Sequence, residues 1–482
     1  MQKLIISFLL ILSCLTIEAH SGKARFHVMI DTDGAADDLR AICMLLGNRE
    51  VEVLSITTSE GALLPNDAAQ KTMSLLRFFY HEGIPVGVGQ KHNTEPPIWR
   101  KQSEQINWGN SPTIVKEFPS AKDLMIRTIE EESEKVIIIC LGSLTNLNDM
   151  LTEKPQLKEG IERVIWYNGS INPSQSANYD ADAASADKVL ASGIRMEIIS
   201  MDEKNPLVID EAYIKMISEV DNQYAQKIVE THTNGVLQPV VAAKHMKAWD
   251  DLAITYLFAP ELFTSKQEGG GVSSYIIDNA EMLNRSRKAI LEILTGKPDS
   301  ESRVFFGFPD NPDLYAADVA PVVKDIIAQH GRSEWRAGVL TNELHGHLGI
   351  YAIVGVKMGI RAREYFNIGV DDIIVVSYAG LNPPISCLND GLQVSTGGTL
   401  GHGLISVSTD GQVRPEASFD FKGKVLRLKL KPEYAMQIRN DVEEGIRLHG
   451  NLTEDYWLHI RELAIKYWQE FDRHEIFEMS VD

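Results

Sequence analysis

The chain has 482 residues, of which 44% are hydrophobic and 24% are charged, and its formal net charge is −20. The composition is typical of a soluble globular protein, and the length indicates two domains rather than one. The negative charge argues against nucleic acid or an anionic membrane surface as a partner, and no basic stretch suggests a nucleic-acid groove.

The first twenty residues have the pattern of an export signal. Lys3 supplies a positive start, and residues 4–12 form an apolar run that is too short to span a bilayer. We therefore expect an exported protein, either periplasmic or anchored to a membrane as a lipoprotein. Two processing sites remain open: cleavage before Cys14, which would then carry the lipid anchor, and cleavage after Ala19.

Residues 24–331 alternate apolar runs with helical patterns. This alternation predicts an α/β domain with a mostly parallel, open sheet and helices on both faces. The predicted strands are residues 28–30, 51–56, 136–140, 164–167 and 196–199. The predicted helices include residues 68–80, 121–132 and, closing the domain, 317–329.

The most informative segment follows the first predicted strand. Residues 31–38 read DTDGAADD, which places four carboxylates within eight positions. In α/β folds, ligands bind at the carboxyl ends of the strands. Four like charges repel one another unless a cation lies among them, and carboxylate oxygens suit calcium or magnesium better than zinc or copper. The segment therefore predicts a metal-dependent active site.

Three alternative hypotheses for the acidic segment account for it less well. An EF-hand loop starting at residue 31 would need particular residues where Ala35, Ala36 and Ile42 stand, so that hypothesis fails. A phosphohydrolase of the aspartyl-phosphate type begins similarly but does not account for Asp37 and Asp38. Capping of a helix accounts for one carboxylate at its N-terminus, but not for four.

Four segments, in order, resemble motifs of the inosine-uridine-preferring nucleoside hydrolases. They are residues 31–38, 137–147 (IIICLGSLTNL), 176–190 (SANYDADAASADKVL) and 249–253 (WDDLA). The resemblance covers residues 26 to about 330. It implies calcium-dependent hydrolysis of the N-glycosidic bond of ribonucleosides to ribose and free base, an activity of nucleoside catabolism and purine salvage. Members of the family are commonly dimers or tetramers, so it also implies a homo-oligomer.

The resemblance further implies roles for individual residues. Asp33 would be the catalytic base, Asp37 would accept a hydrogen bond from a ribose hydroxyl, and Asn178 would hold the sugar from the other side. The calcium ligands would be oxygen atoms of Asp33, Asp38, Thr145 (through its backbone carbonyl) and Asp250.

Three positions depart from the family pattern. Trp249 stands where many members have histidine; its ring can stack on a purine, so we expect purine nucleosides, with a buried core tryptophan as the alternative. Ala62 and Ser176 replace polar residues that contact the sugar in the family. These losses leave open a hydrolase of another N-glycoside, or a protein that binds nucleoside or metal without turnover.

Residues 333–482 are predicted to form a second, α+β domain. Glycine is dense between residues 346 and 403, residues 425–430 are extended, and an aromatic stripe over residues 456–471 indicates a long helix packed on a core. Residues 343–349 (ELHGHLG) and 387–403 (CLNDGLQVSTGGTLGHG) resemble motifs of the E-type subunit of formylmethanofuran dehydrogenase.

That resemblance implies a zinc site in the second domain, with an alternative. Gly349 and Gly398 stand where relatives carry cysteine, so two soft ligands are missing. Tight turns at the glycines and local hydrogen bonds of the histidines are the competing interpretation. The implied ligands are His345, His347, Cys387 and His402.

Overall fold

The computed structural model describes residues 24–92, 95–109, 115, 117–269, 271–296 and 304–482. The predicted export signal, with Lys3 and Cys14, lies outside these residues. Among the helices of the described ranges, none is both long enough and apolar enough to span a membrane.

The first domain is built on a mixed sheet. Within the described ranges its eight strands are β1 (Phe26–Thr32), β2 (Val51–Thr58), β3 (Val86–Val88), β4 (Val136–Cys140), β5 (Ile161–Gly169), β6 (Met196–Ser200), β7 (Thr264–Gly269) and β8 (Val272–Ile276). Their spatial order is β3-β2-β1-β4-β5-β6-β8-β7. Neighbours are parallel except β7 and β8, which are antiparallel. The predicted α/β fold with a mostly parallel sheet is confirmed.

Apolar cores lie on both faces of this sheet, because successive side chains of a strand point to opposite faces. Val28 and Ile30 of β1 pack in one core, whereas Met29 packs in the other. The helices of this domain within the described ranges are α1 (Ala36–Leu46), α2 (Pro65–Phe78), α3 (Arg100–Gln105), α4 (Ala121–Glu131), α5 (Thr145–Glu153), α6 (Ala177–Asp180), α7 (Ala183–Leu190), α8 (Glu211–Ser218), α9 (Gln223–Thr233), α10 (Gln238–Ala242), α11 (Asp251–Phe258) and α12 (Ala280–Thr295).

The second domain combines helices with a smaller sheet. Its elements are α13 (Val323–His345), α14 (Ile350–Phe366), β9 (Ile374–Ser377), α15 (Leu388–Thr396), β10 (Ile405–Val407), β11 (Glu416–Phe421), β12 (Lys424–Leu430), α16 (Pro432–His449), α17 (Glu454–Glu470) and β13 (Phe477–Val481). The strand order is β10-β9-β11-β12-β13. The aromatic stripe of α17 is buried, as at Tyr467 and Trp468, whereas Trp457 is 44% exposed. The predicted α+β architecture is confirmed.

The helix at the junction between the domains begins later in the chain than predicted. The helix expected over residues 317–329 begins only at Val323, after a short 3-10 turn that contains Pro321. Helix α13 then continues across Gly331, where it is kinked. The φ of Gly331 is 84°, a value that favours glycine. Val323 and Ile326 pack in the core of the second domain. These residues before the kink therefore belong by packing to the second domain.

The second domain packs against the edge of the large sheet where its parallel strands begin. The Lys422 ammonium group pairs with the carboxylates of Glu52, in β2, and Glu132, just before β4. The Gly83 N–H donates a hydrogen bond of 2.8 Å to the Tyr365 carbonyl. Because the strands run away from this edge, their carboxyl ends are left uncovered by the second domain.

Candidate active site

A cavity of about 420 Å³ opens at the carboxyl ends of β1, β4 and β5. This is the edge where α/β sheets bind ligands. Its lining combines carboxylates with apolar and aromatic side chains. Among the lining residues are Asp33, Asp37, Asp38, Tyr167, Asn178, Met246, Trp249 and Asp250.

The turn between β1 and α1 sets the positions of the acidic residues. Gly34 has a φ of +79°, and a Cβ at this position would lie 2.9 Å from the Cβ of Ala68, so only glycine fits. The Asp38 Oδ1 atom accepts hydrogen bonds from the Thr32 hydroxyl at 2.5 Å and from the Asp33 N–H at 3.0 Å. The Asp38 carboxylate therefore fastens the turn to the end of β1.

Three of the carboxylates that line the cavity form a compact cluster. Oxygen atoms of Asp37, Asp38 and Asp250 all lie within 4.8 Å of one another. Burial raises the pKa of Asp37 and of Asp38 to about 6, and burial together with the charge of Asp38 raises the pKa of Asp250 well above its ordinary value. A buried, all-oxygen cluster of this kind requires protons or a cation. The residues present fit a hard divalent cation such as calcium.

Asp33 lies beside the cluster and is held differently. Its Oδ2 atom accepts a hydrogen bond from the Ala62 N–H at 3.0 Å, and its Oδ1 atom accepts one from the Ala35 N–H at 3.2 Å. A Cβ at Gly61 would lie 2.1 Å from Oδ2, so this approach needs glycine. Burial, followed by the charge of Asp38, raises the pKa of Asp33 well above its ordinary value. The carboxylate is thus fixed in orientation and unusually basic.

The structure places some of the expected calcium ligands at the cavity and one outside its lining. Asp37, which the family resemblance places on the sugar, lies in the cluster with Asp38 and Asp250. Thr145, at the start of α5, is not among the residues that line the cavity. Its hydroxyl donates a hydrogen bond of 2.8 Å to the Asp182 carboxylate. The atom predicted to bind calcium is the backbone carbonyl of Thr145, and that ligand stays a prediction. The structure therefore brings Asp33, Asp37, Asp38 and Asp250 together.

Asn178 and Ser176 are fixed at the cavity wall. The Asn178 side-chain amide donates to the carbonyls of Leu141 and Tyr167, both at 2.9 Å. These contacts fasten the segment to the ends of β4 and β5. The Ser176 hydroxyl accepts a hydrogen bond of 3.0 Å from the Tyr179 N–H and donates one to Asn168. Ser176 therefore caps α6 and supports the cavity wall.

Two tryptophans line the cavity. Trp249, next to Asp250 in the chain, is half-buried and packs partly against the core. Trp99, just before α3, is 42% exposed. Trp249 is therefore not a fully buried core residue. Sequence reasoning missed Trp99 because it belongs to none of the motifs, and only the fold brings it to the cavity.

Tyr167, at the end of β5, was also missed. Its side chain is 6% exposed and lines the cavity, and its hydroxyl has no hydrogen-bond partner among the described residues. Burial and the charges of Asp250 and Asp37 raise the pKa of Tyr167 well above its ordinary value. The hydroxyl therefore keeps its proton and is available as a donor inside the cavity. A tyrosine near the end of a predicted strand was the only signal.

Comparison with known proteins assigns the first domain. The model of the family described as inosine-uridine preferring nucleoside hydrolase matches residues 28–297, more than half of the chain. The chain belongs to this family. This nucleoside hydrolase is thus an enzyme that hydrolyses the N-glycosidic bond of ribonucleosides, and the phosphohydrolase alternative falls away. The second-domain resemblance is also confirmed, because the model described as FmdE, molybdenum formylmethanofuran dehydrogenase operon, matches residues 344–478.

Individual relatives are more distant. The nucleoside hydrolase is 26% identical over 269 residues to the pyrimidine-specific ribonucleoside hydrolases RihA of Salmonella schwarzengrund and Salmonella paratyphi B, covering 51% of this chain and 84% of each relative. Among solved structures, a plant nucleoside hydrolase (the PpNRh1 enzyme) has 19% identity and a TM-score of 0.48, and a purine-preferring ribonucleoside hydrolase from Gardnerella vaginalis has 18% identity and a TM-score of 0.45. Each match covers 56% of this chain and 99% of the other.

The four residues predicted to bind zinc in the second domain do not form one group of neighbouring ligand atoms. The rings of His345 and His347 have centroids 4.3 Å apart, and His345 Nδ1 lies 2.7 Å from the Asp390 carboxylate. His402 Nδ1 instead lies 2.9 Å from the Gly397 carbonyl. In the described ranges, no group of three or more candidate metal ligands includes any of the predicted set, which was His345, His347, Cys387 and His402. The zinc site of the second domain therefore stays a prediction.

Proposed function

We propose that this enzyme is a calcium-dependent nucleoside hydrolase that prefers purine ribonucleosides. The observation that carries the proposal is one cavity that holds both a three-carboxylate cluster and a separately held, basic carboxylate. Asp37, Asp38 and Asp250 supply oxygen atoms for the cation, and Asp33 supplies the base. The half-buried Trp249 supplies an apolar surface for the nucleobase.

In the proposed reaction, water is added across the N-glycosidic bond. Asp33 takes a proton from the water, and the hydrogen bonds from the Ala62 and Ala35 N–H groups fix the orientation of its carboxylate for this step. The water oxygen bonds to C1′ while the bond from C1′ to the base nitrogen breaks, through an oxocarbenium-like transition state. The electron pair of that bond leaves with the base, which takes up a proton from solvent, and Asp33 returns its proton to solvent after the reaction. When bound, calcium lowers the pKa of its water and fixes the water's position.

The chain's own residues would hold the sugar. Asp37 borders the cavity and accepts hydrogen bonds, which suits a ribose hydroxyl. Asn178 has both strand-end contacts through its amide nitrogen, so its side-chain oxygen keeps accepting capacity for the sugar. Tyr167 would donate its hydroxyl proton to a polar substrate atom, which satisfies a group that has no partner among the described residues.

The aromatic wall supports a purine preference. Stacking of a base on an aromatic ring stabilises binding by about 1–3 kcal/mol, and a bicyclic purine overlaps a tryptophan ring more than a pyrimidine does. Trp249 and Trp99 both border the cavity. The Salmonella relatives are named pyrimidine-specific, so substrate tests must include both classes of base.

We further propose that the enzyme is exported, as the segment of residues 1–20 suggests. Mass spectrometry of the mature protein's N-terminus would test this. A lipid-modified Cys14 would identify an anchored lipoprotein, whereas a start at His20 would identify a freely released form. Retention of Met1 and the whole segment in a cytoplasmic fraction would refute export.

The deciding experiment is the release of free base from a panel of purine and pyrimidine ribonucleosides, followed by HPLC. Each reaction is run with calcium and again after chelation, with Asp33→Asn as the matched inactive variant. Calcium-dependent release, faster from purines, supports the whole proposal. Release that survives chelation contradicts the metal dependence, and faster release from uridine or cytidine contradicts the purine preference. Release only from N-glycosides with altered sugars would assign a different substrate.

A further inference from the structure

An ion pair buried in the first domain joins the two segments that carry the metal-binding carboxylates. The Arg40 guanidinium donates two hydrogen bonds to the Asp251 carboxylate, from Nε to Oδ1 at 2.7 Å and from Nη2 to Oδ2 at 2.5 Å. Both side chains are 1% exposed. Arg40 lies on α1, one turn after Asp37, and Asp251 follows Asp250 at the start of α11.

Further hydrogen bonds fix the guanidinium. Its Nη2 atom donates to the Lys247 carbonyl at 3.0 Å, and its Nη1 atom lies 2.9 Å from His232 Nε2. His232 Nδ1 lies 2.8 Å from the Ile228 carbonyl. Nδ1 must therefore carry the ring proton and donate to this carbonyl, so that Nε2 accepts from Arg40. The guanidinium is thus tied to α1, α9 and the segment before α11.

We propose that Arg40 and Asp251 are positioning residues that hold Asp37 and Asp38 in register with Asp250 for cation binding. The inference rests on the proposed calcium site. It adds the contact that holds the α1 segment and the α11 segment of that site together. Apolar side chains of α1 and α11 share one core, and the hydrophobic effect that joins them is non-directional. A bidentate guanidinium–carboxylate contact fixes both distance and angle between its partners.

Stability alone does not account for the pair. Taking a guanidinium and a carboxylate out of water is costly, and replacing a buried pair by apolar side chains of similar volume is often neutral or stabilising. A pair that serves only stability could therefore be exchanged for a packed apolar pair without further loss. A pair that fixes geometry could not be exchanged in this way without loss of calcium affinity. An experiment can therefore separate a stabilising role from a positioning role.

The test compares calcium affinity with folding stability in the same variants. Isothermal titration calorimetry with CaCl₂ measures the dissociation constant, and thermal unfolding in chelator measures stability without the ion. Arg40→Lys keeps the positive charge but loses the bidentate contact with Asp251. We expect it to weaken calcium binding about tenfold. The double variant Arg40→Met with Asp251→Leu keeps the net charge and restores apolar packing. We expect it to recover stability while its calcium affinity stays at least tenfold weakened.

A matched control lies in the second domain. Lys357 and Glu334 form an ion pair with both side chains fully buried, far from the cavity in the fold, and Arg473 also contacts Glu334. Lys357→Met should lower the unfolding temperature and leave the calcium dissociation constant of the wild type unchanged. It therefore reports what a loss of buried pairing does when no ligand site is involved.

The outcomes separate the inference from the function on which it rests. Wild-type affinity in Arg40→Lys, or recovery of affinity together with stability in the double variant, would overturn the positioning role alone. Equal loss of calcium affinity in Lys357→Met would also overturn it, because the effect would then follow stability in general. Absence of calcium binding by the wild type would overturn the proposed metal dependence, and the inference with it.

Discussion

Asp33 is the cavity carboxylate whose two oxygens are both held by backbone N–H groups. Replacing it with asparagine keeps the shape of the side chain but removes the base, so we expect base release to fall about 10²–10⁴-fold. Calcium binding should persist, because the cluster of Asp37, Asp38 and Asp250 stays intact. HPLC of released base and calorimetry with calcium measure the two effects separately. Asp250→Ala should lose both, and an active Asp33→Asn enzyme would remove Asp33 as the base.

Trp249 offers a test of base preference. Its replacement by alanine removes a stacking surface, so we expect kcat/KM to fall about tenfold or more for purine nucleosides and less for pyrimidine nucleosides. Steady-state kinetics with inosine and uridine compare the two classes. An equal loss for both would assign Trp249 to packing. Trp99→Ala tests in the same way whether the second ring contributes.

The Tyr167 hydroxyl is a hydrogen-bond donor that has no acceptor among the described residues. Tyr167→Phe removes only this hydroxyl, so the cavity shape is kept while a hydrogen bond to substrate is lost. We expect kcat/KM to fall about three- to tenfold, in line with about 1 kcal/mol for a neutral hydrogen bond. Thermal stability should stay level, since none of the described groups loses a partner. Unchanged kinetics in Tyr167→Phe would show that substrate does not reach the hydroxyl.

Sequence patterns identified the acidic residues of the site and missed their supports. Asp33, Asp37 and Asp38 stand in one local motif, and strand-to-loop position alone places them at a ligand edge. Arg40 and Asp251 are 211 positions apart, so no local periodicity or spacing links them. Tyr167 reads as an ordinary strand residue. Side chains brought together only by tertiary folding leave little trace in a single sequence.

Among elements, α1 is the one whose N-terminus carries the densest negative charge. Asp37 and Asp38 lie in its first turn, where the helix dipole favours anions, yet their pKa values are raised to about 6 by burial. Their pKa values in the unfolded chain are about 3.9. Protons therefore bind the folded state more tightly, and this stabilising contribution is present at low pH and is lost as pH rises through about 6.

This sign predicts that calcium stabilises the protein more at pH 7 than at pH 5. In chelator, the contribution of these carboxyls makes the protein less stable at pH 7 than at pH 5. Calcium at a hundred times its dissociation constant should add about 2.7 kcal/mol at pH 7, and less at pH 5, where protons compete for the same oxygens. Thermal unfolding at both pH values, with calcium or chelator, measures the difference. A calcium effect of equal size at both would contradict the cluster as the binding site.

Elements were predictable where one interaction dominates. The run Val136–Cys140 is apolar throughout and lies fully buried in the sheet, as a central parallel strand should. Helix α13 was harder to predict, because a glycine such as Gly331 inside a helical run indicates a helix end. Gly331 instead lies at a kink. The helix begins before this kink, where Val323 and Ile326 pack in the core of the second domain.

At the scale of the whole molecule, the two domains meet closely at Gly83. A Cβ there would lie 2.4 Å from the Tyr365 carbonyl oxygen, so Gly83→Val must force the backbones apart. We expect a loss of about 1–3 kcal/mol, typical of overpacking, and the separation of one calorimetric unfolding transition into two. Gly307→Val is the control, because its Cβ would meet nothing within 4 Å. A single transition at wild-type temperature in Gly83→Val would show that the contact yields easily.

Helix α1 reaches from the cavity to the second domain as one segment. Asp37 and Asp38 lie in its first turn, and the Leu46 carbonyl at its other end accepts a hydrogen bond of 3.3 Å from Asn367. Its 11 residues make a rod of about 16 Å. If α1 tilts at the end that contacts Asn367, the carboxylates at its other end therefore move. In a genetic screen for loss of growth on nucleosides, substitutions at this distant end would be recovered as defects of catalysis.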